Sequence, residues 1–376
     1  MIDPTRNAFI ALVGGVVIFG LFLAPILMIQ LRRYGQLSFR RLLGAIAVAI
    51  YGVAFVAYTL FPLPPRTDAV CPPIVQLVPF QFVADIARET AGMTLLSALT
   101  SAVVLQCVFN VVLFLPLGVI VRRYFSRGVL VATVAGLLVS GLIEATQYTG
   151  IWGIYGCAFR LADVDDLIFN TSGALIGALI APLVLWWMPG ESELVPKRLQ
   201  PRPVTVIRRW VGMFLDWVAY GFVSAIAGVL FVGVPLVLGL DLPVWADVLI
   251  TSLLPGIVVF LIPALVRSGA TFGQRVAWLE PAWSETEPSL GRRLSRAAVP
   301  IVWTALVTVG ALDPDGTLGA LMTFGAGVLV VAELIVVAAS RGRGIATIAS
   351  GAHFIDARSK ISGSSEAKRL PSEDAV

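Results

Sequence analysis

Residues 129–149, VLVATVAGLLVSGLIEATQYT, decide the fold. Up to Ile143 the stretch is continuously apolar or small instead of alternating. At ~1.5 Å rise per residue, about 20 such residues cross the ~30 Å hydrocarbon core of a bilayer as a helix. A lipid-facing backbone must satisfy its hydrogen bonds within its own segment, which a lone strand does not. The same stretch carries Glu144 and Gln147, three apart and therefore on one helix face. A carboxylate at a bilayer boundary is costly, so such groups pair, hydrate or do work.

Comparable runs lie near 8–31, 42–61, 102–121, 167–188, 211–238, 247–266, 297–312 and 318–339. Together they predict an all-α, polytopic helical membrane protein of about nine transmembrane helices, the run at 297–312 being the shortest. Composition agrees: of 376 residues 58% are hydrophobic and 13% charged, with mean hydropathy +0.90, too apolar for a soluble domain whose surface must be wetted. All but Arg6, Arg66, Arg88 and Arg160 of the 27 Lys and Arg residues follow the first, third, fifth, seventh or ninth run. Cytoplasmic connections collect Lys and Arg, so the N-terminus is expected outside and the C-terminus in the cytoplasm of a cell-membrane protein. The net charge of +4 and pI near 9.1 then reflect anchoring at membrane lipids, not a nucleic-acid partner. The first run lacks a basic leader and a small-residue cleavage site and reads as a retained span.

Residues 191–204, with Pro196, Pro201 and Pro203 among charged residues, read as a cytoplasmic linker. It separates a five-span domain (1–190) from a four-span domain (205–356), and 357–376 reads as a disordered tail. The external stretch 62–101 is proline-rich to Pro79 and then amphipathic from Phe80 to Leu99, a helix expected to lie at the outer surface. The cytoplasmic stretch 267–296 reads as a turn-rich connector around Gly269, Gly273 and Gly291. No fixed repeat, Gly-rich phosphate loop or Cys/His metal spacing occurs, so neither metal nor cofactor is expected. The sole histidine, His353, falls in the cytoplasmic tail, which removes histidine from any external mechanism.

Immediately after the opening stretch, the chain passes Arg160, Asp163, Asp165, Asp166 and Asn170 before turning apolar again. Asn110, Glu144 and Asn170 each fall roughly 8–12 Å or less inside the outer end of their own span. Asp166 and Asn170 are four apart and share a face. These residues, with Gln147, are candidates to line one polar cavity open to the outside. The plain structural alternative is a packing network in which Arg160 neutralises one carboxylate and Asp163 or Asp165 caps the next helix. Four acids around one arginine exceed what packing needs, and the excess suits a cationic or polar ligand or acid–base work by a carboxylate.

Three blocks carry a resemblance: Asn110-Val111-Val112-Leu113-Phe114-Leu115-Pro116-Leu117-Gly118, Glu144-Ala145-Thr146-Gln147, and Arg160 through Gly173. In order, spacing and residue type they resemble the VanZ-like family, named for a protein associated with teicoplanin resistance; Val78-Pro79-Phe80 is similar to that family's earlier Pro-Phe motif. The resemblance covers most of 40–190 and implies a membrane domain linked to glycopeptide tolerance or cell-envelope physiology, without supplying a reaction. The second half resembles the RDD family. Arg209 and Asp216 stand seven apart as in its opening motif, Gly269 through Arg275 resembles its connector, and Arg293 or Arg296 falls where a further arginine is expected. Phe272 and Gln274 stand where that family has proline and lysine, and Asp247 is taken over Asp241 as its second aspartate.

Cys107 falls inside the third span, while Cys71 and Cys157 fall on the oxidising side, where a disulfide between them is open although no spacing fixes their proximity. The function expected first is binding of a cell-wall precursor, lipid headgroup or glycopeptide-related ligand in the external cavity. Proton- or cation-coupled transport is the alternative, resting on Glu333 inside the last span, and a scaffold without ligand is the third reading.

Overall fold

The structure is a computed structural model that describes residues 4–60, 75–155, 158, 160–266, 268–284 and 288–360. Cys71 and Cys157, and the tail from 361, lie outside the described residues. The chain is 74% helical. Among the described residues nine helices are long and apolar enough to cross a membrane. They are α1 (Pro4–Tyr34), α2 (Phe39–Leu60), α5 (Ala102–Tyr124), α6 (Val129–Tyr148), α7 (Val164–Val184), α8 (Val206–Val237), α9 (Val244–Leu265), α11 (Leu290–Leu312) and α12 (Thr317–Ala339). Short helices α3 (Gln81–Glu89), α4 (Leu95–Leu99), α10 (Phe272–Val276) and α13 (Ile345–Ala349) lie between or after them. The protein is thus a polytopic helical membrane protein.

The boundaries differ from expectation where polar residues are drawn into helix ends. α11 begins seven residues before the apolar run, capped by Ser289, whose side chain accepts a hydrogen bond from Arg292 N. Its first turns therefore carry Arg292, Arg293 and Arg296, which apolarity alone excludes. The amphipathic piece expected as one helix over 80–99 is two, α3 and α4, separated at Gly92, whose φ of 76° ends a helical path.

The chain divides into two compact units, Met1–Leu23 with Ser38–Leu194, and Ala24–Leu37 with Val195–Val376. The second includes Ala24–Leu37, which the sequence places with the first domain. Ala24 and Leu31 are buried in a cluster with Leu215, Val276, Ala277 and Leu279. Trp278 Nε1 donates to Leu31 O at 2.7 Å, and the Arg32 guanidinium lies 4.6 Å from the Trp278 ring centre.

In the first unit, α7 packs against both α5 and α6. Lipid offers no hydrophobic gain for helix pairing, so contact depends on small residues that let backbones approach. The buried face of α7 is Gly173, Ala174, Gly177, Ala178 and Ala181. A Cβ on Gly177 would lie 2.0 Å from Leu115 O, and one on Gly173 2.3 Å from Val111 O. A two-residue parallel ladder, β1 (Val75–Gln76) with β2 (Ala162–Asp163), brings the segment before α3 beside the start of α7.

In the second unit, α8, α9, α11 and α12 form the helical body, with Tyr220, Val259 and Phe260 in a core cluster against Trp303. Strands β3 (Leu279–Ala282) and β4 (His353–Asp356) pair antiparallel. Against the disorder expected from 357, Arg358 is fully buried. Its Nη2 meets Asp356 Oδ2 at 2.6 Å, and its Nη1 donates to Gly35 O at 2.8 Å and to Arg198 O at 2.7 Å. Burial alone would raise the Asp356 carboxyl. The hydrogen bonds from Arg358 and Arg202 N, with the nearby Arg208 charge, outweigh it and hold the group down at about 2.

The α5–α7 contact predicts that Gly177→Ala lowers stability by ~1–3 kcal/mol, the cost of forcing atoms into a filled interface. Gly141→Ala on α6, where a Cβ meets no heavy atom within 4 Å, is neutral or slightly stabilising. Thermal unfolding in detergent checks both; an equal response of the two variants contradicts the proposed packing.

Candidate functional site

Helix α6 presents one buried stripe, Ala132, Gly136, Ser140, Glu144 and Gln147, at spacings of three and four. Its N-terminal half is small and its C-terminal half polar. Gln147 Nε2 donates to Thr59 O at the end of α2, at 2.7 Å. Asn170 Nδ2 on α7 donates to Ser140 Oγ at 2.8 Å, while Asn170 Oδ1 is buried without a hydrogen-bond partner. Asn110 Nδ2 on α5 donates to Asp166 Oδ1 on α7 at 2.5 Å. Four helices are thus joined pairwise by polar contacts at adjoining levels, and Ser140 and Thr59 belong to the network although neither was singled out by charge.

The acids divide by role. Asp163 is the N-cap of α7, its Oδ1 accepting from Asp165 N at 2.8 Å. Burial pushes the Asp163 carboxyl up; the Asp165 amide opposes this, and the charges of Asp165 and Asp85 add to it. Asp165 is 3% exposed and accepts from Phe80 N at 2.6 Å and Phe82 N at 3.0 Å, so it fixes the start of α3 to the start of α7. Phe80 has φ 66°, and the Phe82 ring stands edge-on to Phe169 at 4.7 Å. The Pro-Phe motif therefore serves to receive Asp165, a pairing the sequence does not disclose because 85 positions separate the partners.

Glu144 and Asp166 remain. Glu144 is 8% exposed and its Oε2 accepts from Asp163 N at 3.2 Å; among the described residues Asp166 accepts from Asn110 alone. Arg160 lies exposed at the start of the segment. Among the described residues it makes no ion pair within 4 Å, so the countercharge role expected for it is not made by direct contact. Its attraction reaches Glu144 and Asp166 only at longer range. The arrangement leaves two carboxylates with one hydrogen bond each, which suits a ligand that donates hydrogen bonds or carries positive charge. Among the described residues no group of three metal-ligating side chains occurs.

The motif residues of the second unit form a separate cluster. Asp216 accepts from Thr271 Oγ1 and from Gly273 N, both at 2.6 Å. Gly273 is required there, since a Cβ would lie 2.0 Å from Gly212 O. Arg209 Nε donates to Gly342 O at 3.0 Å, and Arg296 Nη1 to Gln274 Oε1 at 3.2 Å. Arg275 is exposed and donates to Ala270 O at 2.9 Å. Asp247 is in the first turn of α9 and does not line this cluster; the second acid there is Glu333, whose Oε2 accepts from Ile345 N at 2.8 Å.

The class defined by this fold is a multi-pass helical membrane protein with a polar network at one end of its first unit. Residues 48–185, which hold that whole network from Thr59 to Asn170, match the family model described as VanZ/LLP1. The chain therefore contains a VanZ/LLP1-like domain. No curated protein and no solved structure matches it significantly.

The division of labour predicts that Asp165→Ala destabilises the first unit by ~1–3 kcal/mol or more, because two amides lose their acceptor. Arg160→Ala, an exposed change, stays within ~0.5 kcal/mol. Thermal melts of the two variants in detergent check this, and a larger loss for Arg160→Ala restores it as the essential countercharge.

Proposed function

We propose that the chain is a cell-envelope protein of the cell membrane whose first unit holds an outward-facing acidic site for a polar or cationic ligand. The ligand class is a cell-wall precursor, lipid headgroup or glycopeptide-related molecule, and the physiological outcome is tolerance of teicoplanin-type glycopeptides. The observation that carries this reading is the pair Glu144 and Asp166. Both sit on spanning helices, each accepts one hydrogen bond, and among the described residues neither has a cation within 4 Å. Two acids buried at the ends of spanning helices, each with a single hydrogen bond among the described residues, exceed what helix packing by small residues uses. The VanZ/LLP1 likeness of residues 48–185 supports the link to glycopeptides. The distribution of Lys and Arg supports an external N-terminus, and hence an external site.

The second unit is read as RDD-like, supported by the meeting of Arg209, Asp216 and the Gly273 turn in one cluster. A one-sided site is preferred over coupled transport because the spanning helices of the first unit carry acids only at Glu144, Asp165 and Asp166, near the end of α6 and the start of α7, and no acid continues a path along them.

Glu144→Gln and Asp166→Asn keep size and remove charge. Each is expected to abolish tolerance of a teicoplanin-type glycopeptide in cells that express the protein at wild-type level, read as the minimal inhibitory concentration. Full tolerance in both variants returns the network to a scaffold role. The orientation has its own test, after replacement of the native cysteines. An impermeant thiol reagent labels intact cells carrying Gly153→Cys and spares Ser192→Cys and Ser289→Cys; labelling at Ser192→Cys reverses the topology.

A further inference from the structure

The second unit encloses a cavity of about 370 Å³ whose lining includes four charged groups, Arg209, Asp216, Arg296 and Glu333, beside Trp217 and Trp303. That volume lies in the range of small-molecule sites. Arg209 is 3% and Arg296 6% exposed, yet Arg209 Nη1 and Arg296 Nε are buried without a hydrogen-bond partner. Their other contacts hold them in place: Arg209 donates to Gly342 O and stacks 3.7 Å from the Phe354 ring centre, and Arg296 donates to Gln274. Among the described residues no ion pair within 4 Å joins these arginines to Asp216 or Glu333.

Unfilled guanidinium donors in a largely apolar site call for acceptor oxygens, since each unmet donor carries a desolvation cost. Phosphate is the group whose oxygens suit two guanidiniums. The two acids leave the lining formally neutral, which disfavours a free anion and favours a head that brings its own positive charge. The rest of the lining is apolar and aromatic, and Trp217, 60% exposed, marks where it reaches the lipid-facing surface of α8.

We infer that this cavity is a binding site for one zwitterionic phospholipid. Its phosphate oxygens accept from Arg209 and Arg296, its ammonium faces Asp216 and Glu333, and its chains leave past Trp217. The inference stands on the second unit alone and is independent of the glycopeptide reading of the first.

The test uses the full chain in detergent, titrated with short-chain phosphatidylethanolamine while the thermal midpoint is followed. The expected result is a saturable rise of several degrees, absent with chain-matched diacylglycerol and with inorganic phosphate. Arg209→Gln raises the half-saturating concentration at least tenfold. Ala297→Leu, which fills the cavity without touching a charge, abolishes the rise, and it decides the matter if Arg209→Gln does not fold. An equal rise with diacylglycerol, reproduction by inorganic phosphate alone, or a wild-type titration in Ala297→Leu overturns the inference.

Discussion

The approach of α7 to α5 through Gly173 and Gly177 is the contact on which the first unit depends. In hydrocarbon a leucine face gains nothing by meeting another leucine face, so helices associate where backbones come close enough for dense van der Waals contact. The carbonyls of Val111 and Leu115 occupy the places where side chains would begin on α7. Once that spacing is set, the polar residues beside it have fixed neighbours. Asn110, which directly precedes Val111 on α5, meets Asp166. Asn170, three residues before Gly173, meets Ser140 on α6. The small-residue interface and the polar network are therefore successive levels of one packing arrangement.

Charge within that arrangement follows the termini of helices. The start of α7 leaves backbone amides unsatisfied and carries the positive end of the helix dipole, and it attracts Asp163 as cap. Asp165 does the same for the start of α3, across a long stretch of chain. These two acids are spent on structure. Glu144 lies near the C-terminal end of α6 and Asp166 in the first turn of α7, and among the described residues each accepts one hydrogen bond.

The second unit uses arginine differently. Arg358, Arg208, Arg209 and Arg296 are buried, and each reaches main-chain carbonyls or side-chain oxygens of segments that return to the helix ends. Long, forked guanidiniums bridge several acceptors at once, so they can stitch a short ladder, a connector and a helix start together. Asp356 completes the clasp with three hydrogen bonds from Arg358 and one from Arg202 N. The same geometry leaves Arg209 Nη1 and Arg296 Nε buried without a hydrogen-bond partner among the described residues.

The sequence by itself determined the all-α class and the nine spanning helices found among the described residues, because continuous apolar length is a local property that tertiary contact does not alter. It also marked Asn110, Glu144, Gln147, Asp166 and Asn170, since polar groups inside apolar spans stand out from their neighbours. Helix starts were less legible: Arg292, Arg293 and Arg296 hid the first turns of α11, whose end is set by a cap and not by apolarity. What only the tertiary structure decided is which acid does what. Asp163, Asp165 and Asp166 are nearly adjacent and chemically alike, yet one caps its own helix, one holds a distant loop and one faces Asn110. That division depends on β1 pairing with β2 and on the depth of α7 against α5, which are contacts between residues far apart in the chain. The placement of Ala24–Leu37 with the second unit and the exposure of Arg160 have the same origin, for neither is encoded by spacing along a single segment.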